Sequence, residues 1–295
     1  MYDMACSNQI AIYGSRRQSD HFDKLPRLFD FFKESGFRVF VETRFFSYLA
    51  ENGIEMYDSV PCEHIPPGVS LVVSLGGDGT FLRAARWIRW REIPILGINT
   101  GHLGYLASCG VSEAVEMVKN VCKGEISVEK RMLLEVISPH FPEDKWNCAL
   151  NEVALMRHGS SMLSVRATVN DSFLADYRGD GLIISTPSGS TAYSLSAGGP
   201  IIEPTIDCMC LCPVAPHTLT LRPLVVGAGA EIKLEPESRG TNFILSVDDQ
   251  AIVLPACGEF TVRKAPFSTL VIRKKDESFP TILRNKLLWS ATPKG

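Results

Sequence analysis

The sequence predicts an α/β domain built on a parallel sheet, followed by a mostly antiparallel β domain. Three observations carry this reading. Strand-like and helix-like segments alternate from Gln9 to Lys123. From about Ile126 onward, short β-branched runs follow one another with turn residues between them. A glycine-rich stretch, Leu75-Gly76-Gly77-Asp78-Gly79-Thr80, stands where an apolar run gives way to helical spacing.

Taken in order, Gln9 to Gly14 reads as a short apolar strand ending at a glycine. Asp23 to Ser35 has helical spacing (Leu25, Leu28, Phe29, Phe32) and stops at Gly36, and Phe37 to Val41 is a second strand. Leu71 to Leu75 and Ile93 to Ile98 are further strands, the first continuing through the glycines into the helix-like Phe81 to Arg86, the second into Asn99-Thr100-Gly101. A helix from Ser112 to Lys123, capped by Ser112 and ended by Gly124, closes this part. Such alternation places helices on both faces of the sheet and ligands at the C-terminal strand ends, where Gly76-Gly77-Asp78 and Asn99-Thr100-Gly101 both lie. The second texture comprises Leu133 to Ile137, Ser164 to Val169, Gly181 to Ser185, Ile232 to Leu234 and Phe243 to Val247, with Asn170-Asp171-Ser172 as a hairpin turn. There are no repeats, low-complexity tracts or long linkers, so the two halves are expected to share a cleft.

Composition narrows the function. The 295 residues are 45% apolar and 21% charged, with 30 Lys and Arg against 33 Asp and Glu, net −3. That balance argues against bulk electrostatic capture of nucleic acid or of an anionic membrane. The start, Met1 to Ser7, has neither a basic region nor a long apolar stretch, so no signal peptide is expected. No run approaches the roughly 20 apolar residues that span a bilayer. The nine cysteines are scattered; Cys208, Cys210 and Cys212 alternate on one strand face, which suits buried reduced thiols better than zinc. Together these features predict a cytoplasmic protein. The six histidines show no metal spacing and no Ser-His-Asp order.

The chemistry concentrates in a few motifs. Glycines at 76, 77 and 79 let the backbone turn tightly and bring N–H groups near phosphate oxygens; the following helix adds partial positive charge at its N-terminus, where Thr80 is expected to cap. A phosphate would repel the one carboxylate in this loop, so Asp78 reads as a base or a hydroxyl-binding group. Arg83 lies near the helix start, within reach of a phosphate; Arg86, Arg89 and Arg91, interleaved with Trp87 and Trp90, mark the solvated face and end of that helix rather than a nucleic-acid surface. A second region runs from Arg178-Gly179-Asp180-Gly181 through Ser185 to Pro200. Ten of the sixteen residues from Ser185 to Pro200 are Ser, Thr or Gly, too many for a core, and with one aromatic face, Tyr193, they suit a nucleotide; by composition alone a mobile polar surface loop is the alternative. Asn151-Glu152 interrupts an apolar run: either a pair that holds vicinal ribose hydroxyls or a solvent-facing turn. Asp248-Asp249-Gln250 ends a strand and reads as an ordinary turn.

Gly76-Gly77-Asp78-Gly79-Thr80, Asn151-Glu152, Asp180-Gly181 and Thr186-Pro187-Ser188-Gly189-Ser190-Thr191-Ala192-Tyr193-Ser194, in that order, resemble the NAD kinases. Asn99 to Leu106, Pro216-His217-Thr218-Leu219, Arg222-Pro223-Leu224 and the tail Lys286-Leu287-Leu288-Trp289 are similar to that family too, so the resemblance covers nearly the whole chain. The Gly-Gly-Asp-Gly-Thr loop alone has relatives in diacylglycerol kinases, sphingosine kinases and phosphofructokinases; the long Thr-Pro-Ser-Gly-Ser-Thr-Ala-Tyr run makes the match specific. Many members carry Thr where Ser188 stands, and both bring a hydroxyl.

The resemblance implies ATP-dependent phosphorylation of the 2′-hydroxyl of the adenosine ribose of NAD, giving NADP. It implies Asp78 as the general base, with Gly77 and Gly79 along the phosphates and Asn151 and Glu152 on ribose hydroxyls. Thr191, Ala192, Tyr193, Ser194, Leu195 and Ser196 would wrap the dinucleotide, Asp180 and Gln250 would add polar contacts, and Arg83 and Arg178 would sit at phosphate- or dinucleotide-binding positions. No carboxylate cluster for a protein-held metal is seen in the sequence, so Mg²⁺ or another divalent cation is expected to arrive with ATP. The implied fold is a Rossmann-like α/β nucleotide-binding domain (1–124, joined by a returning segment 272–295) and a β-sandwich NAD-binding domain (125–271). The implied assembly is a homo-oligomer, tetramer or dimer, in which Asp180 can serve a neighbour's site. Two other readings stand beside this one: a lipid kinase using the same loop, for which Ser185 to Ser196 is too polar, and a non-catalytic NAD(P)-binding regulator, which has no need of Asp78.

Overall fold

The computed structural model describes residues 8–16, 24–101, 104–238, 242–275 and 277–287. His102, Leu103, Leu288 and Trp289, named above among the family-like motifs, lie outside them. The chain packs as two units, Met1–Lys130 with Thr269–Gly295, and Arg131–Ser268.

The first unit runs β1 (Gln9–Gly14), α1 (Leu25–Glu34), β2 (Arg38–Glu42), α2 (Thr43–Glu51), β3 (Val60–Cys62), β4 (Leu71–Leu75), α3 (Asp78–Ile88), β5 (Ile95–Asn99), β6 (Cys109–Gly110) and α4 (Ala114–Lys123). Its strands pair in the order β5-β4-β1-β2-β3, parallel throughout. β4 and β5 are buried along their whole length, as the near-continuous apolar runs of a central parallel strand require. Helix α1 buries Leu25, Leu28, Phe29 and Phe32, one face at helical spacing, against a core that includes Val39, Val41 and Leu49.

Local signals explain the ends. Gly36 and Gly124, both at φ +70, follow α1 and α4 in the left-handed conformation that glycine adopts without strain. Ser112, expected to cap α4, does not. It sits inside a short 3₁₀ turn, Val111–Glu113, and the Glu113 carboxylate accepts from the Gly110 N–H at 3.4 Å instead. Three elements of this unit have no counterpart in the sequence reading: β3 and β6 are three and two residues long, and α2 buries only Phe45 and Leu49. The basic end of α3 is tied down rather than simply solvated, because Trp87 Nε1 donates to the Glu63 carbonyl at 2.7 Å and Arg91 to those of Ile65 and Pro66.

The chain then forms β7 (Ile126–Ile137), which runs from the first unit into the second, β8 (Cys148–Ala149), β9 (Glu152–Arg157), β10 (Leu163–Val169), β11 (Ser172–Gly179), β12 (Gly181–Ser185), the single helical turn α5 (Tyr193–Ser196), β13 (Cys208–Val214), β14 (Leu224–Gly227), β15 (Ile232–Ser238), β16 (Asn242–Val247), β17 (Gln250–Pro255) and β18 (Phe260–Lys274), which runs back from the second unit. One antiparallel sheet is ordered β11-β10-β15-β18 and the other β14-β13-β12-β9-β16-β17. Val165, Ala167, Leu234 and Phe260 of the first meet Leu155, Leu182, Ile184 and Phe243 of the second in one core, the sandwich arrangement. The β10–β11 hairpin turns on Asn170 (φ 49) and Asp171 (φ 61), with Val169 opposite Ser172. Cys208, Cys210 and Cys212 are free thiols packed with Ala154, Ile183 and Ile202, and burial pushes the Cys210 thiol up to about 11. The chain returns to the first unit along β18, whose Val271 pairs with Ile95 of β5, and ends in α6 (Phe279–Leu287). No helix among the described residues is long and apolar enough to cross a membrane.

Gly97 in β5 allows a close approach of backbone to backbone in the first unit's core. A Cβ there would lie 2.8 Å from the Ala107 Cα and 3.0 Å from the Phe81 ring. Gly97→Ala is expected to destabilise the protein by about 1–3 kcal/mol, the usual cost of overpacking. Urea unfolding checks this, and an unchanged midpoint would mean that the 107 backbone gives way freely.

Candidate active site

β4 is followed by Gly76, whose φ of +151 and whose closeness to Thr80 exclude a side chain: a Cβ would stand 2.4 Å from Thr80 Oγ1. The chain then enters α3 with Gly77 as N-cap and no side-chain cap. Thr80 is therefore not the cap that the sequence suggested. It is the third helical residue, buried, and its Oγ1 accepts from Arg83 Nη2 at 3.3 Å. The uncapped end leaves the helix dipole and its first N–H groups directed at the loop, an arrangement suited to an anion.

Asp78 opens α3, and its carboxylate accepts from two consecutive amides, Tyr105 N–H to Oδ2 at 2.7 Å and Leu106 N–H to Oδ1 at 3.0 Å. Gly104 makes this possible, because a Cβ there would lie 2.1 Å from Asp78 Oδ1. The family-like stretch Asn99 to Leu106 thus reaches Asp78 through its last three residues.

Beside this loop is a cavity of about 530 Å³ whose lining includes Gly77, Gly79, Thr80 and Arg83 together with Tyr13, Arg16 and Arg44. Sequence reasoning singled out Gly77, Gly79 and Arg83 but missed Tyr13, Arg16 and Arg44. A signal existed for the first two, since Tyr13 lies in the last two residues of the parallel strand β1 and Arg16 in the loop directly after it. Arg44 belongs to α2, whose short apolar face gave no warning. Gly14 carries no side chain because the Phe45 ring fills that space, 2.2 Å from a notional Cβ. Glu42, the one acidic group among the described residues of the lining, accepts from the Phe45 N–H at 2.9 Å. Burial and Glu42 raise the Tyr13 hydroxyl above the usual phenol range, against the opposing pull of Arg83 and Arg86.

In the second unit Asn151 and Glu152 are gripped from behind. Asp248, at φ +51 in the β16–β17 turn, accepts from the N–H groups of Leu150 (2.8 Å), Asn151 (2.8 Å) and Glu152 (3.1 Å). The ordinary turn of the sequence reading is a turn, but its carboxylate is buried and organises the neighbouring loop. Burial raises Asp248 to about 6 despite these three donors. Glu152 has one carboxyl oxygen buried without a partner among the described residues, and burial, then Asp248, push it up to about 8.

The hydroxyl-rich run is not the fully solvent-facing or ligand-facing segment its composition suggested. Ser185, Thr186, Ser188, Ser190 and Ser194 are all buried. Their number is tolerated because most are hydrogen-bonded internally. Thr186 Oγ1 donates to the Leu150 carbonyl at 2.6 Å and accepts from Gly189 N–H at 3.1 Å. Ser190 Oγ accepts from Ile202 N–H at 3.0 Å, and Ser188 Oγ accepts from the buried Arg131 at 3.0 Å. Gly189 packs on the Asn151 backbone, where a Cβ would come within 2.0 Å of the carbonyl oxygen. The run therefore splits: its first half is scaffold under Asn151, and its second half, Thr191, Ala192, Tyr193, Leu195 and Ser196, is at least partly accessible, with Tyr193 41% exposed.

Gln250 donates to the Trp146 carbonyl at 3.0 Å, two residues from Asp248. Asp180 pairs with Arg157 at 2.6 Å, and Arg178 is exposed nearby. Arg157 ends β9 and Glu152 begins it, so Asp180 stands about 17 Å along the strand from the Asn151-Glu152 pair. Within the described chain these two sets are not brought together.

Glu152 generates a pH prediction. Its folded value lies above the ordinary glutamate value of 4.5, so the folded state binds the extra proton and stability falls as pH rises from about 4.5 to about 8. Asp248, raised in the same sense, adds to the lower part of that window. Thermal midpoints measured across this range should decline in the wild type and decline less in Glu152→Gln. Identical slopes would mean that the Glu152 carboxyl is solvated.

The chain's relatives agree with this architecture. The profile of the ATP-NAD kinase N-terminal domain matches residues 23–126, and that of the ATP-NAD kinase C-terminal domain matches residues 150–274. The NAD kinase of Porphyromonas gingivalis is 40% identical over 286 residues, covering 96% of this chain and 98% of that protein. That of Bacteroides fragilis is 37% identical over 290 residues, covering 96% and 98%. Among solved structures, a yeast NADH kinase complexed with NADH superposes with a TM-score of 0.85 at 21% identity, covering 98% of this chain and 90% of that one, a likeness of fold. An NAD kinase from Archaeoglobus fulgidus in complex with ATP gives 0.72 at 28% identity, covering 95% and 97%. The chain belongs to the ATP-NAD kinase family.

Proposed function

We propose that this protein transfers the γ-phosphoryl group of ATP to the 2′-hydroxyl of the adenosine ribose of NAD, giving NADP. The observation that carries the reading is the Asp78 carboxylate, fixed by two amides at the uncapped start of α3 beside an arginine-lined cavity. Phosphoryl transfer asks a protein for alignment, charge neutralisation and a positioned base more than for covalent chemistry. The first unit offers these: N–H groups of Gly77 and Gly79 and the guanidinium groups of Arg16, Arg44 and Arg83 for the phosphates, and Asp78 for the hydroxyl proton. Mg²⁺ or another divalent cation enters with ATP as part of the substrate and neutralises phosphate charge there. Glu42, already engaged by the Phe45 amide, is not offered to it.

The second unit supplies the dinucleotide contacts. Glu152, whose carboxyl burial and then Asp248 push up to about 8, can in its protonated form donate to one ribose oxygen and accept from a hydroxyl, and Asn151 can do the same through its amide. Thr191, Ala192, Tyr193, Leu195 and Ser196 line the dinucleotide, Ser194 being buried beneath them, with Gln250 adding a polar contact. The distance along β9 between Glu152 and Asp180 supports a homo-oligomer, tetramer or dimer, in which Asp180 and Arg178 complete a neighbour's site. The compartment we propose is the cytoplasm. The relatives, named as NAD kinases, lend no support to a lipid kinase or a silent regulator.

Asp78→Asn should lower kcat for NADP formation by about 10²- to 10⁴-fold, the range of a lost general base, while ATP and NAD binding stay nearly unchanged. An NADP-specific dehydrogenase coupled to the reaction reads the rate, and calorimetry reads the binding. Turnover that survives the substitution would remove Asp78 from the chemistry.

A further inference from the structure

One of the two amides that hold Asp78 belongs to a peptide group gripped from its other side. Arg273, near the end of β18, is 2% exposed, and its Nη2 donates to the Tyr105 carbonyl at 2.9 Å. That carbonyl shares a peptide unit with the Leu106 N–H, which donates to Asp78 Oδ1 at 3.0 Å. A buried guanidinium and the carboxylate thus occupy the two ends of a single amide. A cation on the carbonyl polarises the amide and makes its N–H a stronger donor, an effect enhanced away from water.

Neighbouring contacts follow the same plan. Lys286 of α6 donates to the Ala107 carbonyl at 2.9 Å, and Ser108 Oγ donates to the Ile272 carbonyl. Residues 105–108 are fastened to the returning C-terminal segment by these three bonds, while the amides of 105 and 106 face Asp78. Arg273 is also costly as a purely stabilising group. It pairs with Glu129 at only 3.4 Å, and its Nη1 is buried with no partner among the described residues.

We propose that Arg273 is a positioning residue for Asp78, acting through the Tyr105–Leu106 peptide, and that the returning segment orients the carboxylate. This rests on the reading of Asp78 as the base. The test compares Arg273→Met and Arg273→Lys in the wild-type and Asp78→Asn backgrounds, with kcat, both KM values and the thermal midpoint measured for each. Arg273→Met should lower kcat roughly ten- to a hundredfold, as sub-ångström misplacement of a reacting group does, with both KM values changed by less than about twofold. In Asp78→Asn the same substitution should lower the residual kcat by less than about twofold, because the group it positions is no longer a base. Arg273→Lys keeps a cation opposite Glu129 and carries the same comparison should the Met variant fail to fold. Equal losses of kcat in both backgrounds, or a folded Arg273 variant with wild-type kcat, would overturn the relay alone. Wild-type kcat in Asp78→Asn would overturn the base and the relay together.

Discussion

A carboxylate that accepts two backbone N–H groups cannot turn freely, and in the first unit that constraint joins three distant stretches of chain. Asp78 starts α3, Tyr105 and Leu106 follow β5, and the residues that hold the 105–108 segment from behind come from β18 and α6. The glycines around this point follow from it. Gly104 leaves room for the carboxylate, Gly97 lets residue 107 approach β5, and Gly76 lets the chain turn over Thr80. The parallel sheet ends its strands here, and that is why a loop from one strand end can be held by a loop from the next.

The second unit uses the same device with a different partner. Asp248 binds three successive amides, and what it fixes is the pair Asn151-Glu152. Thr186 and Gly189 close the other side of that loop, so it is pinned both from the β16–β17 turn and from the segment after β12. The result is a carboxyl at Glu152 poor in solvent and partners, pushed up to about 8, and in its protonated form an acceptor becomes a group that can also donate. Each unit thus commits one aspartate to backbone amides, one at a strand-to-helix loop and one at a hairpin.

Much of this was legible in the sequence where a pattern is local. The alternation of apolar strands and amphipathic helices marked the α/β unit, and Asn170-Asp171 marked the β10–β11 hairpin of the second unit because two residues at positive φ are what such a turn needs. Gly77, Asp78, Gly79 and Arg83 stood out because glycines, one carboxylate and a helix start lie within a few residues of each other. Long-range partners left no such mark. Asp248 looked like any turn aspartate, since nothing in its neighbours reports the amides of residues 150–152. Arg131, Arg157 and Arg273 lie in strands whose pattern gives no reason to bury or pair a cation. The hydroxyl-rich run misled for a related reason: composition counts polar groups but does not say which are satisfied within the fold, and Ser185, Thr186 and Ser190 went inside. Thr80 and Ser112 were read as caps from residue type alone, and in both cases the helix start fell elsewhere.

The central claim is that Asp78 is held ready to take the proton of the hydroxyl that is phosphorylated. A crystal structure of the protein with NAD and a non-hydrolysable ATP analogue tests it most directly, through the distance from the Asp78 carboxylate to the 2′-oxygen of the adenosine ribose. The account predicts hydrogen-bond reach, about 2.6–3.2 Å, with the Tyr105 and Leu106 amides still on the carboxylate. A 2′-oxygen lying more than about 5 Å away and paired with another base would contradict it.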